Sequence, residues 1–206
     1  VRAMAGKDPA RNGIGPVGVY RRNTFVARDG FSSLKQWEAA HGTKCRLVVT
    51  VGAYTSISNF IAYSRYKGES WVASAVSFTG ADNFAGELLA SKVSNRVIMT
   101  QVTPLLDSNL PIVIEARDKL GDDFGFVTLE GFIVGKLFLH LMEGMEGTPT
   151  RAGFMRATAG KQFNLGGLNI DFGNDNQASD LVTSTHLTGS GWKPMGRDQW
   201  AHWLKK

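Results

Sequence analysis

Two short runs constrain this chain more than anything else in it: RLVVTV at residues 46–51 and RVIMTQV at residues 96–102. Both are nearly all apolar and rich in β-branched residues, without polar alternation. That pattern belongs to strands covered on both faces, and such strands build parallel sheets. Between them lie stretches with helical spacing. Residues 55–67 place Ile57, Phe60 and Ile61 on one side and stop at Gly68, and residues 82–91 carry Phe84 and Leu88 one turn apart. Residues 71–78 read as a further strand. Upstream, residues 17–20 (VGVY) read as a short buried strand. Residues 28–41 read as a helix with Phe31, Leu34 and Trp37 near one face, closed by Gly42 at the position of a left-handed cap. Strand, helix and strand at this spacing form a βαβ unit with a right-handed crossover. The expected class is α/β, a parallel sheet with flanking helices.

The downstream half changes character. A helix from residue 110 carries Ile112, Ala116 and Leu120 at four-residue steps. The run at residues 126–143 is apolar on most sides and is expected to lie centrally. Thr148-Pro149 reads as a helix start and Gly160 as its stop. Leu168, Ile170 and Phe172 alternate with Asn169 and Asp171, the period of a half-exposed strand. A strand at residues 181–187 then turns through Gly189-Ser190-Gly191 into Trp192 and Lys193, so the fold should end in antiparallel strands.

Composition narrows the function classes. With 206 residues, 43% hydrophobic and 20% charged, the chain can bury a core and is not a disordered segment. A lone Cys45 allows no intrachain disulfide and no thiolate cluster. The net charge of +5 is spread out, with Arg21-Arg22 and Lys205-Lys206 as the adjacent basic pairs, so no nucleic-acid stripe is expected. Glu130, Lys136 and His140 interrupt the most apolar stretch, and no membrane insertion is expected. No charged-then-apolar leader opens the sequence, so an export signal is expected to be absent or already removed. Gly13-Ile14-Gly15-Pro16-Val17-Gly18 has the letters of a dinucleotide fingerprint but precedes a strand instead of following one. Gly131 to Lys136 lies inside a helical run and is one residue short of a phosphate loop. His41, His140, His186 and His202 show no paired ligand spacing, and no nucleophile elbow is present. No catalytic residue, metal site or cofactor is expected.

Several segments, in order, resemble one family. They are VGVYRRNTFVARDGF at residues 17–31, VGAYTSISNFIAYSRY at 51–66, VSFTGADNFAGEL at 76–88 and VIMTQVTP at 97–104. DFGFVTLEG at 123–131 and FNLGGLNIDFGNDNQASD at 163–180 complete the set. Together the sequence resembles the type I periplasmic solute-binding proteins of ABC transporters, in their branched-chain amino acid (Leu/Ile/Val-binding) family. Two departures stand out. The family's N-terminal lobe half has no counterpart before Val1. A further βα unit usual in the family has none between His41 and Arg46. Burial of the sheet and helix faces left bare makes omission from the numbered residues the expected reason.

The resemblance implies Rossmann-like lobes, divided as an irregular lead-in (1–16), a βα lobe (17–100), a hinge with part of the other lobe (101–180), and return strands with a tail (181–206). It implies a non-enzymatic, periplasmic or otherwise extracytoplasmic protein. Such a protein captures a small amino acid or related carboxylate between two lobes and delivers it to an inner-membrane ABC permease. Tyr54 matches the family's cleft-lining aromatic position, Asp82 an acidic position facing a ligand ammonium, and Phe25 a further aromatic position; Ala53 and Thr79 are their neighbours. Gln101 and Thr103 match a hinge. From the residues alone, Tyr54 is equally a packing residue and Asp82 equally a helix cap. A sensor domain of the same fold and a Rossmann-like enzyme using Asp82 are the alternative readings.

Overall fold

The computed structural model describes residues 13–15, 17–20, 24–173 and 175–205. The lead-in therefore lies mostly outside the described residues, as does the Arg21-Arg22 pair. The chain divides into two compact units, one formed by Val1–Thr100 with Ser184–Lys206, the other by Gln101–Thr183.

The first unit opens with helix α1 (Arg28–His41), then β1 (Leu47–Val49), α2 (Tyr54–Tyr66), β2 (Val72–Val76), α3 (Ala81–Ala90) and β3 (Val97–Gln101). The chain returns to it as β6 (Thr183–Thr188), β7 (Gly191–Pro194) and α7 (Arg197–Lys205). The five-stranded sheet has the order β1-β2-β3-β6-β7. Its β1–β2 and β2–β3 pairings are parallel and its β6–β7 pairing antiparallel. Both α/β expectations hold: a parallel sheet with flanking helices, finished by antiparallel strands. Val72, Ala73 and Val97 are fully buried, and so are Ile61 of α2 and Phe84 and Leu88 of α3. Phe84 stacks on Trp192 of β7 at 5.9 Å, and the Trp192 indole donates to the Ala81 carbonyl (2.8 Å). The closing hairpin is thereby fastened to α3.

Two sequence expectations fail at the start of this unit. Residues 17–20 form no strand, and Val17 and Val19 are exposed. The segment instead runs close along α1, where a Cβ on Gly18 would come within 3.3 Å of the Gly30 backbone. Residues 46–51 shrink to the three-residue β1, and Leu47 and Val49 are 39% and 59% exposed. As the end strand of the described sheet, β1 has a neighbour on one side only.

Helix α1 ends as its sequence predicts, with Gly42 in the left-handed region (φ 58°) and its N–H bonded to the Glu38 carbonyl. Its apolar spacing gave no sign that Glu38 is buried. The carboxylate accepts from the Lys35 ammonium and from the Cys45 N–H (2.8 Å), while Lys35 also reaches Glu69 (2.7 Å). This triad ties α1 to the approach to β1 and to the α2–β2 turn. Burial pushes the Glu38 carboxyl up, but the bonds from Lys35 and Cys45, which need the charged form, leave it below its ordinary value.

The second unit contains α4 (Pro111–Leu120), α5 (Phe126–Glu143), α6 (Arg151–Thr158), β4 (Gln162–Leu165) and β5 (Leu168–Asp171). Its core is Ile112, Val113, Ala116, Leu129, Leu141, Leu165, Ile170 and Phe172. The cap of α6 is Thr150, whose hydroxyl accepts from the Gly153 N–H (3.0 Å), not the expected Thr148. α5 is packed on one side only. Phe126, Leu129 and Leu141 are buried, whereas Val127, Val134, Phe138 and Leu139 are exposed, so the helix is not enclosed as expected. Gly131 to Lys136 is helical, and Lys136 pairs with Glu115 (2.9 Å), as suits a packing surface and not a phosphate loop.

The β4–β5 hairpin docks on the first turn of α4 through its Gly166-Gly167 turn. The Gly166 carbonyl accepts from the Ile112 N–H (2.9 Å), one of the amides a helix start leaves without an internal partner. Both glycines have positive φ, and a Cβ on Gly166 would lie 2.8 Å from Ile112 Cβ and 2.9 Å from its backbone nitrogen.

Two outcomes follow from this packing. Gly166→Ala should lower the unfolding free energy by about 2 kcal/mol, through overpacking against backbone and a left-handed conformation that alanine resists, read as a fall in the urea midpoint. Glu38→Gln should destabilise at pH 7 by about 1–2 kcal/mol. Because the folded carboxyl sits below its unfolded value, the stabilisation is present above the ordinary carboxylate range and is lost as the pH falls through and below it. The gap between wild type and variant, measured by denaturation at pH 7 and pH 3, should therefore close in acid.

Candidate functional site

In a parallel sheet the loops leaving the C-terminal ends of the strands are where side chains gather around a ligand, because every helix starts there. In the first unit these loops follow β1 and β2. After β1 the chain passes Thr50, buried and bonded through its hydroxyl to the Ser74 carbonyl (2.8 Å), then Gly52 and Ala53, and enters α2 at Tyr54. Tyr20 comes over this loop, and its hydroxyl donates to the Val51 carbonyl (3.0 Å). Gly52 leaves the room for it, since a Cβ there would fall 1.5 Å from that hydroxyl. After β2 a short 3-10 turn, Ser77–Thr79, leads through Gly80 (φ 91°) into α3.

The two loops meet. The Tyr54 ring lies against Gly80, 3.4 Å from where a Cβ would stand. Tyr54 is half-buried, Ala53 exposed as the residue before α2, and Asp82 exposed in the first turn of α3. Asp82 does not cap its helix: the residue before α3 is Gly80, and no side-chain cap bond is made there. Ala53 likewise leaves α2 without a side-chain cap. Thr79 is 1% exposed, and its hydroxyl meets no hydrogen-bond partner. Phe25 is 73% exposed. It follows Thr24, whose carbonyl accepts from the Ser56 hydroxyl in the first turn of α2 (2.9 Å), so this segment too is held at the α2 start. Tyr54, Ala53, Thr79, Asp82 and Phe25 thus all belong to the strand-end loops of one unit or to a segment fastened to them.

Below these loops, α2 and α3 are locked together at Glu87. Its carboxylate accepts from the Thr55 hydroxyl (3.3 Å) and closely from Ser58. This ties the start of α2, which presents Tyr54, to the later part of α3. Gln101 and Thr103, read as hinge residues, lie at and just beyond the end of β3, where the chain enters the second unit; both are buried.

Sequence reasoning missed Phe78 and Tyr20. Phe78 is 66% exposed in the turn after β2, beside Thr79. Its signal is an aromatic residue immediately before Thr-Gly at a strand end, where the strand reading of residues 71–78 makes it the last strand residue. Tyr20 falls in the stretch 17–20 that reads as a buried strand.

Elsewhere, the second unit holds a hollow of about 520 Å³ lined largely by leucines, including Leu105, Leu110, Leu168 and Leu181, with Asp107 as its charged residue. None of the sequence-predicted site residues lines it. Among the described residues no group of three or more His, Cys, Asp or Glu is placed to hold a metal ion. Among them too, no helix is long and apolar enough to cross a membrane.

No protein-family model matches the sequence, and no curated protein does. Solved structures do match. A possible leucine/isoleucine/valine-binding protein from Rhodopirellula baltica superposes with a TM-score of 0.77 at 31% identity, over 88% of this chain and 50% of its own. A leucine-binding protein from Thermotoga maritima gives a TM-score of 0.67 at 13% identity, over 86% of this chain and 49% of its own. A branched-chain amino acid ABC transporter protein from Thermus thermophilus with bound valine gives 0.61 at 15% identity, over 82% of this chain and 48% of its own. This chain therefore spans about half the length of these matched structures. The first two of these are described as binding proteins, and the third holds valine. The chain has the fold of the type I periplasmic binding proteins over about half the length of those matched, and in sequence it is similar to a possible leucine/isoleucine/valine-binding one.

Proposed function

We propose that the protein is an extracytoplasmic solute-binding protein that captures a small amino acid or related carboxylate and delivers it to an inner-membrane ABC permease. The observation that carries this reading is the meeting of two strand-end loops at Tyr54 and Gly80, with Asp82 in the same helix turn and no bond of its own to cap that turn. The 31% identity to a possible leucine/isoleucine/valine-binding protein supports it.

Each residue has a role in that reading. The half-buried Tyr54 ring offers an apolar wall to an aliphatic group, and its hydroxyl a hydrogen bond. The exposed rings of Phe25 and Phe78 extend that wall. Asp82 pairs with the ligand ammonium, a charge-assisted contact of the stronger kind. Ala53 and Thr79 line the same loops with the backbone amides of the uncapped helix starts. Gln101 and Thr103 act as hinge residues where the chain passes between units.

Thermal shift and calorimetry against a panel of amino acids and aromatic acids test the proposal. Binding of at least one branched-chain or aromatic amino acid is expected, and no response across the panel from intact protein overturns it. Asp82→Asn should weaken binding of the amino acid by roughly tenfold or more, the worth of a charge-assisted hydrogen bond. It should change binding of the matching acid without an amino group much less, which calorimetry on the pair of ligands resolves.

A further inference from the structure

A buried donor without an acceptor costs a protein about 1–3 kcal/mol, so one that persists calls for a reason. Gln101 and Thr103 each carry one. They are 2% and 3% exposed, and neither the Gln101 amide nitrogen Nε2 nor the Thr103 hydroxyl meets a partner. They stand two residues apart at the end of β3, where the chain passes from the first unit to the second. The return passage falls between Thr183 and Ser184, on β6, the neighbour of β3 in the sheet.

The surroundings show that polar side chains on these strands can be satisfied. On β6 the Thr185 hydroxyl donates to the Met99 carbonyl (2.9 Å), and the Thr183 hydroxyl donates to the Thr103 carbonyl (3.1 Å). The backbone of Thr103 is therefore used while its side chain is idle. Valine has the same shape as threonine and would be the better residue at such a place, if only one state of this strand mattered. Methionine would fill the place of Gln101 without a stranded amide.

We propose that Gln101 Nε2 and the Thr103 hydroxyl are donors kept for a second state of this passage, the one that accompanies amino-acid binding, in which both find acceptors. The inference rests on the binding function proposed above. A ligand shifts a conformational equilibrium only by the difference in its interactions with the two states. Two hydrogen bonds that form only in the liganded state supply part of that difference, and the two residues are positioning residues for binding without needing to touch the ligand.

The test uses Thr103→Val and Gln101→Met in the full chain, with L-leucine as the probe and Thr183→Val as a comparison. In the free protein Thr103→Val and Gln101→Met should raise the melting temperature by a few degrees, since each removes a stranded donor. Thr183→Val should lower it, since that hydroxyl is already bonded. By calorimetry each of the first two variants should bind L-leucine roughly fivefold more weakly, the worth of one neutral hydrogen bond. Unchanged affinity in both variants, or a lowered melting temperature in both, overturns the inference while leaving the binding function intact. Failure of the wild type itself to bind any of the amino-acid panel removes the binding function, and the inference with it.

Discussion

The rest of the structure depends on the burial of the apolar residues of β2 and β3. Val72, Ala73, Ala75, Val97 and Met99 are at most 1% exposed, which no surface strand could be. Strands with no polar face can be satisfied only inside a parallel sheet roofed by its own crossover helices. With crossovers of one hand running in one direction along the sheet, consecutive helices fall side by side. Ile57 and Ile61 of α2 and Phe84 and Leu88 of α3 supply the buried apolar surface. Burying side chains of this size is worth about 1.5–3 kcal/mol each, enough to fix the register of both helices.

That register is what brings the candidate residues together. Each helix must begin within a few residues of its strand end, so Tyr54 and Asp82 are delivered to the same edge of the sheet by core packing they take no part in. Fine adjustment falls to small residues and short polar bonds. Gly80 turns the chain at positive φ beside the Tyr54 ring, Gly52 leaves room for the Tyr20 hydroxyl, and Glu87, in the later part of α3, holds Thr55 and Ser58 near the start of α2. A core built this way tolerates change at Ala53 and Asp82, because these exposed residues contribute little to the burial that holds the strands.

The second unit is stabilised differently. Its antiparallel β4–β5 hairpin is separate from the large sheet, and it lends a backbone carbonyl, at Gly166, to the start of α4. α5 keeps Val127, Val134, Phe138 and Leu139 about half exposed or more although Phe126, Leu129 and Leu141 are buried. Here the sequence misled, since a helix apolar all round reads as enclosed, and composition alone does not say which side has a neighbour.

Most helices were legible from spacing and caps, but the closing helix Arg197–Lys205 was not. Residues 28–41 with Gly42, and the β2 and β3 runs, needed no tertiary information, because periodicity and left-handed glycine caps are local. The resemblance in ordered motifs located Tyr54 and Asp82 in number. Residues 17–20, the buried Glu38, the Thr150 cap and the exposed Phe78 were not legible. An apolar tetrapeptide is the same string whether it pairs with a strand or lies along a helix, and a glutamate is the same letter whether solvated or held by Lys35 and Cys45. The chain by itself determined most of the helices and the buried strands β2 and β3, since periodicity and turn glycines follow from the near neighbours of each residue. Only the tertiary structure decided that Tyr54 rests on Gly80 and that Gln101 and Thr103 keep idle donors, because these facts concern groups brought together by strand pairing and by the packing of residues far apart in sequence.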